Sequence, residues 1–455
     1  MKRVPAAIVQ LGLALGLASA LACSTRTSIG GLGDAGTGGQ LGTGGYVGAG
    51  GNGGGAGNIG GAGNLGTAGN LGGGGNAGSM GSGGAAGNAG SMGSGGAAGR
   101  GAAGAACSGA RLGAGTGSAL VPSFGGLNTF HAGVSPGAIA LGDVNGDGKP
   151  DMVVTNTPGI SVLMNDGYGK FPAFVSYLTD RYINGIAFGD MNGDRATDLI
   201  VTTGGSVMVL FNQGNGVLAA PVSYASGVNA YGAAVGDLNG DGALDVAVAN
   251  FGDDKLGGDV SVLLNTGNAT FAAASLPAGL NPSAVAIGDL NGDGSPDLAV
   301  ANAVGGLTVL YNRGDGSFGA PSSYAPGTDP TSVVIGDLNG DCRADVVIAS
   351  PSTASFSVVL RNGMSGFAAA VNYSGPMSVA LGDLNGDGVL DEVFPGDDGF
   401  GVSLNNGNGV FSGPALFPVG ERSNALALGD LDGDGKLDVA VTYSTGVSVR
   451  LNASP

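Results

Sequence analysis

In the stretch Asp237-Leu-Asn-Gly-Asp-Gly-Ala-Leu-Asp245, side-chain oxygens stand at positions 1, 3, 5 and 9. Three carboxylates folded into so short a loop repel one another and raise their own pKa values. A divalent cation relieves that conflict. Hard oxygen ligands with a backbone carbonyl among them suit calcium, which tolerates irregular shells of roughly six to eight oxygens. Gly242, at position 6, marks a sharp turn in a left-handed backbone that glycine adopts without steric cost.

The loop recurs seven times, at intervals of 46 to 52 residues. Position 1 is Asp143, Asp190, Asp237, Asp289, Asp337, Asp383 and Asp430. Position 3 is Asn145, Asn192, Asn239, Asn291, Asn339, Asn385 and Asp432. Position 5 is Asp147, Asp194, Asp241, Asp293, Asp341, Asp387 and Asp434, and position 9 is Asp151, Asp198, Asp245, Asp297, Asp345, Asp391 and Asp438. The expected carbonyl ligands, at position 7, belong to Lys149, Ala196, Ala243, Ser295, Arg343, Val389 and Lys436. Position 6 departs from glycine at Arg195 and Cys342. A left-handed non-glycine residue costs about 1 kcal/mol, so these two sites are expected to be the weaker ones. The seventh loop carries a fourth carboxylate, Asp432, and is expected to bind most tightly. An EF-hand begins the same way but requires a bidentate glutamate at position 12. Here that position holds Val154, Val201 or Val248, which excludes it.

Other chemistry is sparse. His131 is the only histidine and is expected on a surface strand without catalytic partners. No catalytic or organic-cofactor site is expected. The three cysteines are Cys23, Cys107 and Cys342, and export would allow Cys107 and Cys342 to pair. The net charge is −18, and the loops hold 22 of the 34 acidic residues. The acidity is therefore mainly a property of the loops. With no basic stripe to neutralise phosphates, nucleic acid is not an expected partner.

The elements that position these loops follow from the flanking residues. Apolar runs such as Ala284-Val-Ala-Ile287 precede the loop, and runs such as Asp297-Leu-Ala-Val-Ala301 follow it. Such short runs bounded by Gly and Asp predict strands buried on both faces. A third strand, for example Val260-Ser-Val-Leu-Leu264, ends in Asn165, Asn212, Asn265, Asn312, Asn362, Asn405 or Asn452, most of which begin Asn-x-Gly hairpin turns. A fourth is expected from Phe171, Leu218, Phe271, Phe318, Phe367 or Phe411. Four strands per repeat of this length match a propeller blade. The last repeat stops after its third strand at Asn452, while an orphan segment, Phe124–Pro136, precedes the first loop. It aligns with the fourth strand after Phe318, so it is expected to pair with the strand ending at Asn452 and close the ring. The predicted fold is all-β: a seven-bladed β-propeller of four-stranded blades over 118–455.

Ahead of it, Met1-Lys2-Arg3 and the apolar run Val4–Ala22 read as a signal peptide over 1–22. Residues 23–117 are rich in Gly, Ala, Asn and Ser, with Asn76–Gly87 repeated as Asn88–Gly99. They cannot bury enough apolar surface to order themselves and are expected to form a flexible, disordered tether. Ala20-Leu-Ala-Cys23 resembles the lipobox of bacterial lipoproteins, which implies lipidation at Cys23. The protein is then expected to be exported and lipid-anchored at a bacterial outer membrane or cell surface, or otherwise secreted.

Seven copies of D-x-[N/D]-G-D-x-x-x-D between apolar strands resemble the FG-GAP/VCBS repeat family, the integrin-alpha-type β-propeller. The Gly-Ala-Pro triplet of integrins is missing, so bacterial VCBS-type proteins are the nearer likeness. The resemblance implies a metal loop between the first two strands of each blade, up to seven mainly structural Ca²⁺, and ligand contacts on the opposite face. There the candidates are the loop Asn250–Asp259, Asp397-Asp398-Gly-Phe400, and Arg181, Tyr182, Tyr231, Glu421 and Arg422 between blades. The expected function is monomeric adhesion or binding at the cell surface, with a glycan or an extracellular protein as partner and membrane contact through the lipid only. A calcium-dependent polysaccharide lyase and a structural spacer without a ligand are the alternatives.

Overall fold

The computed structural model describes residues 120–253, 257–363, 366–375 and 378–454. The expected signal peptide, the tether, Cys23 and Cys107 lie outside the described residues. Among the described residues no helix is long and apolar enough to cross a membrane.

The chain opens with strand β1 (Phe124–Phe130). The first blade is β2 (Ile139–Gly142), β3 (Asp151–Thr155), β4 (Ile160–Leu163) and β5 (Phe174–Tyr177). The second is β6 (Gly185–Gly189), β7 (Asp198–Thr202), β8 (Ser206–Leu210) and β9 (Val222–Ala225). The third is β10 (Ala230–Gly236), β11 (Asp245–Asp253), β12 (Gly257–Asn265) and β13 (Phe271–Leu276). The fourth is β14 (Leu280–Gly288), β15 (Asp297–Val304), β16 (Gly306–Leu310) and β17 (Ser322–Tyr324). The fifth is β18 (Ser332–Gly336), β19 (Asp345–Ser350), β20 (Ser355–Val359) and β21 (Val371–Ser374). The sixth is β22 (Ala380–Gly382), β23 (Asp391–Gly396), β24 (Gly399–Ser403) and β25 (Ala415–Pro418). The seventh is β26 (Ser423–Gly429), β27 (Asp438–Tyr443), β28 (Gly446–Asn452) and, from the other end of the chain, β1.

Burial falls outward across each blade, as the apolar content of the strands dictates. β14, β15 and β16 are almost wholly buried, whereas outer strands such as β9 and β13 are mostly exposed. The buried faces form an apolar cluster between each blade and the next. Val260 and Val262 of the third blade, for example, pack with Val285, Leu298 and Val300 of the fourth. The ring closes where Leu141, Met152 and Val154 of the first blade meet Ala427, Ala440 and Val449 of the seventh. Inner strands approach closely. A Cβ on Gly232 would lie 3.1 Å from Ala284 Cα, so small residues are required there.

β1 pairs antiparallel with β28, Phe124 opposite Asn452 and Phe130 opposite Val447. Phe124 packs edge-on against Phe400 and Phe417 of the sixth blade, and Phe130 against Phe171 of the first. The orphan segment therefore completes the seventh sheet and removes an open edge.

Three local expectations are corrected. The outer strands of five blades begin several residues after the aromatic or leucine taken as their start, and only β13 starts at its phenylalanine. Leu218, Phe318, Phe367 and Phe411 instead make single bridges to the end of the third strand, because their side chains turn inward and are buried or nearly so. Residues 250–253 and 257–259 are strand where an open loop is expected: Asn250 pairs with Asp259 and Asp253 with Gly257, extending β11 and β12. In the fifth blade the residue equivalent to the terminal asparagine is Arg361, not Asn362, since it is Arg361 that bridges Phe367.

Candidate metal loops

Each acidic loop is the hairpin between the first and second strands of its blade. Its backbone turns the carboxylates inward. In the third loop, Asp237 Oδ1 accepts from the N–H groups of Gly240 (2.7 Å) and Asp241 (3.2 Å), and Oδ2 from Gly242 N–H (2.9 Å). Asn239 Oδ1 accepts from Asp241 N–H (2.9 Å), and Asp241 Oδ1 from Ala243 N–H (2.8 Å). These are the local side-chain-to-backbone bonds that short polar residues make in turns. They recur in the other loops, for example from Asp430 to Gly433 and Gly435.

All seven position-6 residues adopt positive φ, from 61° to 89°, Arg195 (72°) and Cys342 (61°) among them. The position-4 glycines do the same, from 71° to 81°, a second requirement that the expectation for Gly242 overlooked. Arg195→Gly is expected to stabilise the protein by about 1 kcal/mol with Arg195→Ala giving no such gain. Thermal melting of the two variants checks this.

Position 9 behaves differently from positions 1, 3 and 5. The position-5 aspartates are exposed and the residues at positions 1 and 3 mostly half-buried (Asp237 is buried), whereas Asp151, Asp198, Asp245, Asp297, Asp345, Asp391 and Asp438 open their strands fully buried. One oxygen of each accepts the N–H of position 2, and the other accepts the N–H at the end of the third strand, at 2.6–3.2 Å. Burial pushes these carboxyls up, to about 6 at Asp151, Asp198 and Asp245 and about 7 at the other four. The backbone N–H bonds oppose the rise, and neighbouring loop aspartates add to it. A raised native pKa contributes stability that is complete below the unfolded value of about 4 and lost as pH climbs through the native value. In chelator, the urea midpoint is therefore expected to fall between pH 4.5 and 7.5. A midpoint that rose over that range would show that burial does not dominate.

The donor set fits a hard dication. In the seventh loop, oxygens of Asp430, Asp432 and Asp434 lie within 4.8 Å of one another, the single such trio of acidic, His or Cys side chains among the described residues. In four other loops the position-3 asparagine amide donates to the position-5 carboxylate, as from Asn239 to Asp241 (3.0 Å) and Asn291 to Asp293 (2.8 Å). Asp432 has no such proton to give, and burial, then Asp434 and Asp430, raise its pKa. Lys149, Arg343 and Lys436, at position 7, pair with the position-5 aspartates at 3.6, 3.9 and 3.6 Å. Cys342 is held in a disulfide, and its expected partner Cys107 lies outside the described residues.

The terminal asparagines do more than turn a hairpin. Asn312 Nδ2 donates to Pro296 O of its own loop (2.8 Å) and to Leu238 O of the preceding blade's loop (2.7 Å). Asn265, Asn405 and Asn452 do the same. Asn165 bonds Leu431 O of the seventh loop at 2.9 Å, carrying the chain of clamps across the closure. The position-2 residue thus lends its N–H to position 9 and, in six of the seven loops, its carbonyl to the next blade, while its side chain is buried. Its apolar identity in every loop (Val144, Met191, Leu238, Leu290, Leu338, Leu384, Leu431) is the signal that a search for ligands passes over.

Beside the first loop, whose Lys149 donates to Asp166 O (3.0 Å), a groove of about 700 Å³ opens at the seam between β1 and the outer hairpin of the first blade. His131 is exposed and stacks on Phe174, 5.4 Å between ring centres, and Lys170 and Asp166 line the same groove. Of the inter-blade candidates, Arg181 pairs with Asp180 (3.0 Å) and Arg422 with Asp397 (3.8 Å). Tyr231 leans on Phe251, Glu421 accepts from Ser444, and Tyr182 is exposed. They do not converge on one constellation.

The fold and loops define a class: a seven-bladed ring with an acidic, glycine-turned hairpin at the inner end of every blade. FG-GAP-like repeat models match residues 143–201, 190–248, 239–300, 289–348, 337–394 and 383–441, and the chain belongs to that family. No curated protein matches the sequence. Among solved structures, the chain is similar to a lectin of Agrocybe aegerita described as recognising non-reducing terminal N-acetylglucosamine. That likeness has 21% identity over 72% of this chain and 86% of the other, with a TM-score of 0.45. It is also similar to BBS1N in complexes with ARL6DN soaked with mercury and with lead. Those matches have 12% and 11% identity, cover 73% of this chain and 98% of the other, and have TM-scores of 0.52 and 0.53. At these identities the likeness concerns the fold alone.

Proposed function

We propose that this protein is a non-enzymatic binding or adhesion module, a calcium-stabilised ring exported to a bacterial cell surface and held there by a lipid on Cys23. Calcium would be held by the side chains at positions 1, 3, 5 and 9 and the position-7 carbonyls, where it supplies charge neutralisation and cross-linking. The loops themselves set the turn and aim the oxygens inward, and their donor chemistry supports a hard dication over a softer metal.

The observation that carries the binding role is the seam groove. Its volume lies in the range of small-molecule sites, and it combines an apolar ring face with a few polar groups. The His131–Phe174 stack offers a flat face to a sugar ring or an apolar side chain, with Lys170 and Asp166 beside it as hydrogen-bonding groups. The test is a glycan array and a surface-protein pull-down with the mature chain, with and without calcium, beside Phe174→Ala and Lys170→Ala. Binding that both substitutions weaken supports the groove, and binding that neither changes places the ligand elsewhere. The second reading, a polysaccharide lyase, has one observation in its favour: His131 and Lys170 share the groove. Accumulation of an ultraviolet-absorbing unsaturated product from acidic polysaccharide would establish it over the binding role.

A further inference from the structure

The third strand ends in a clamping asparagine in six blades and in Arg361 in the fifth. Arg361 keeps the backbone part of the pattern, its N–H donating to Asp345 Oδ1 at 2.6 Å. Its side chain has no amide to offer, so Nη2 donates to the carbonyl of Asn291, at position 3 of the fourth loop. A Cβ on Gly292, the next residue of that loop, would stand 3.3 Å from both terminal nitrogens. Arg361 is only 6% exposed, and among the described residues it forms no ion pair. A permanent positive charge is therefore packed against a loop that carries Asp289, Asp293 and Asp297, where six blades place a neutral amide.

Taking a guanidinium out of water is unfavourable unless negative charge answers it. The fourth loop is the acidic group against which it rests. We propose that Arg361 is the built-in counter-cation of the fourth loop, supplying part of the charge that calcium supplies elsewhere, so that this loop binds calcium more weakly than the other glycine-turned loops. This rests on the calcium reading above. The basic residues of the first, fifth and seventh loops differ in kind. Lys149, Arg343 and Lys436 are partly exposed, so water and salt screen them, although Lys149 and Lys436 also donate to the carbonyls of Asp166 and Ser454. Arg361 is buried as well as tied to Asn291, so its charge escapes that screening. Repulsion between a unit charge and a dication that the adjoining loop would hold, at a dielectric between protein surface and water, would weaken binding by roughly ten-fold.

Calcium titration calorimetry on the full mature chain tests this, comparing wild type with Arg361→Asn, Arg361→Lys and the double variant Arg361→Asn with Asp293→Ala. Arg361→Asn is expected to tighten one ion by roughly ten-fold. Arg361→Lys, which keeps the charge, should leave that ion weak, and the double variant should lose the gain, which locates it in the fourth loop. In chelator, Arg361→Asn should melt below Arg361→Lys because the loop has lost its internal cation. Calcium binding by the other loops with an isotherm unchanged by Arg361→Asn overturns the role of Arg361 alone. Absence of calcium binding in every variant overturns the calcium reading itself.

Discussion

Removing calcium with a chelator is expected to lower the melting temperature of the purified protein by roughly 5–15 °C. The figure follows from the number of loops more than from the strength of any one. At millimolar calcium and dissociation constants of roughly 10⁻⁴ to 10⁻³ M, a site that exists only in the folded chain adds about 0.4–1.4 kcal/mol. Seven such sites add roughly 3–10 kcal/mol, comparable to the whole stability margin of a domain. Each inner hairpin bears on its neighbour through a clamp such as Asn312 to Leu238 O, so loss of the ions should loosen the seams between blades as well as the loops. The measurement is a thermal melt in calcium, in chelator, and in chelator with calcium restored. Magnesium at the same concentration should restore less, because it demands a regular octahedral shell. Identical melts in all conditions would refute calcium as a stabiliser.

The repeat, the blade and the ring closure were all readable in the sequence, because each follows from a spacing. Seven acidic loops at near-equal intervals set the blade count, and the orphan strand before the first loop matched the one missing after the last. Side-chain direction was not readable. Phe318 and Phe411 stand where the sequence pattern starts an outer strand, yet each turns inward and contributes a single bridge, and the strand forms only beyond it. Asn362 sits one residue past the clamp position, and the pairing of Arg361 with Phe367 and its N–H bond to Asp345 reveal the shift. The division of labour within the loop was hidden for a related reason. Aspartates at positions 1, 5 and 9 are the same letter. Burial separates them, leaving Asp147 near the surface and Asp151 inside with two backbone N–H groups to satisfy. Position 2 was invisible as a functional residue because it works through its backbone.

That separation predicts that aspartates of one loop fail in different ways. Asp438→Ala is expected to cost about 2–6 kcal/mol even in chelator, since it strands the buried N–H groups of Leu431 and Asn452, and each unsatisfied buried donor costs roughly 1–3 kcal/mol. Those bonds measure 2.8 and 2.7 Å, and Asn452 lies opposite Phe124 on the strand that receives β1. The loss should therefore also loosen the seam where the two ends of the chain meet. Asp438→Asn keeps one acceptor oxygen and turns an NH₂ toward a donor, so it should cost about half as much. Asp434→Ala removes an exposed carboxylate whose backbone partner is Lys436 N–H, at 2.9 Å. In chelator it should change the unfolding free energy by less than about 1 kcal/mol, and in calcium it should forfeit the contribution of the seventh site. Urea titrations of the three variants, each with calcium and with chelator, separate the two roles. Equal losses for Asp438→Ala and Asp434→Ala in chelator would contradict the assignment of position 9 as the scaffold of the loop. A calcium-independent loss at Asp438 beside a calcium-dependent one at Asp434 would show that the hairpin is held shut first by the backbone and only then by an ion.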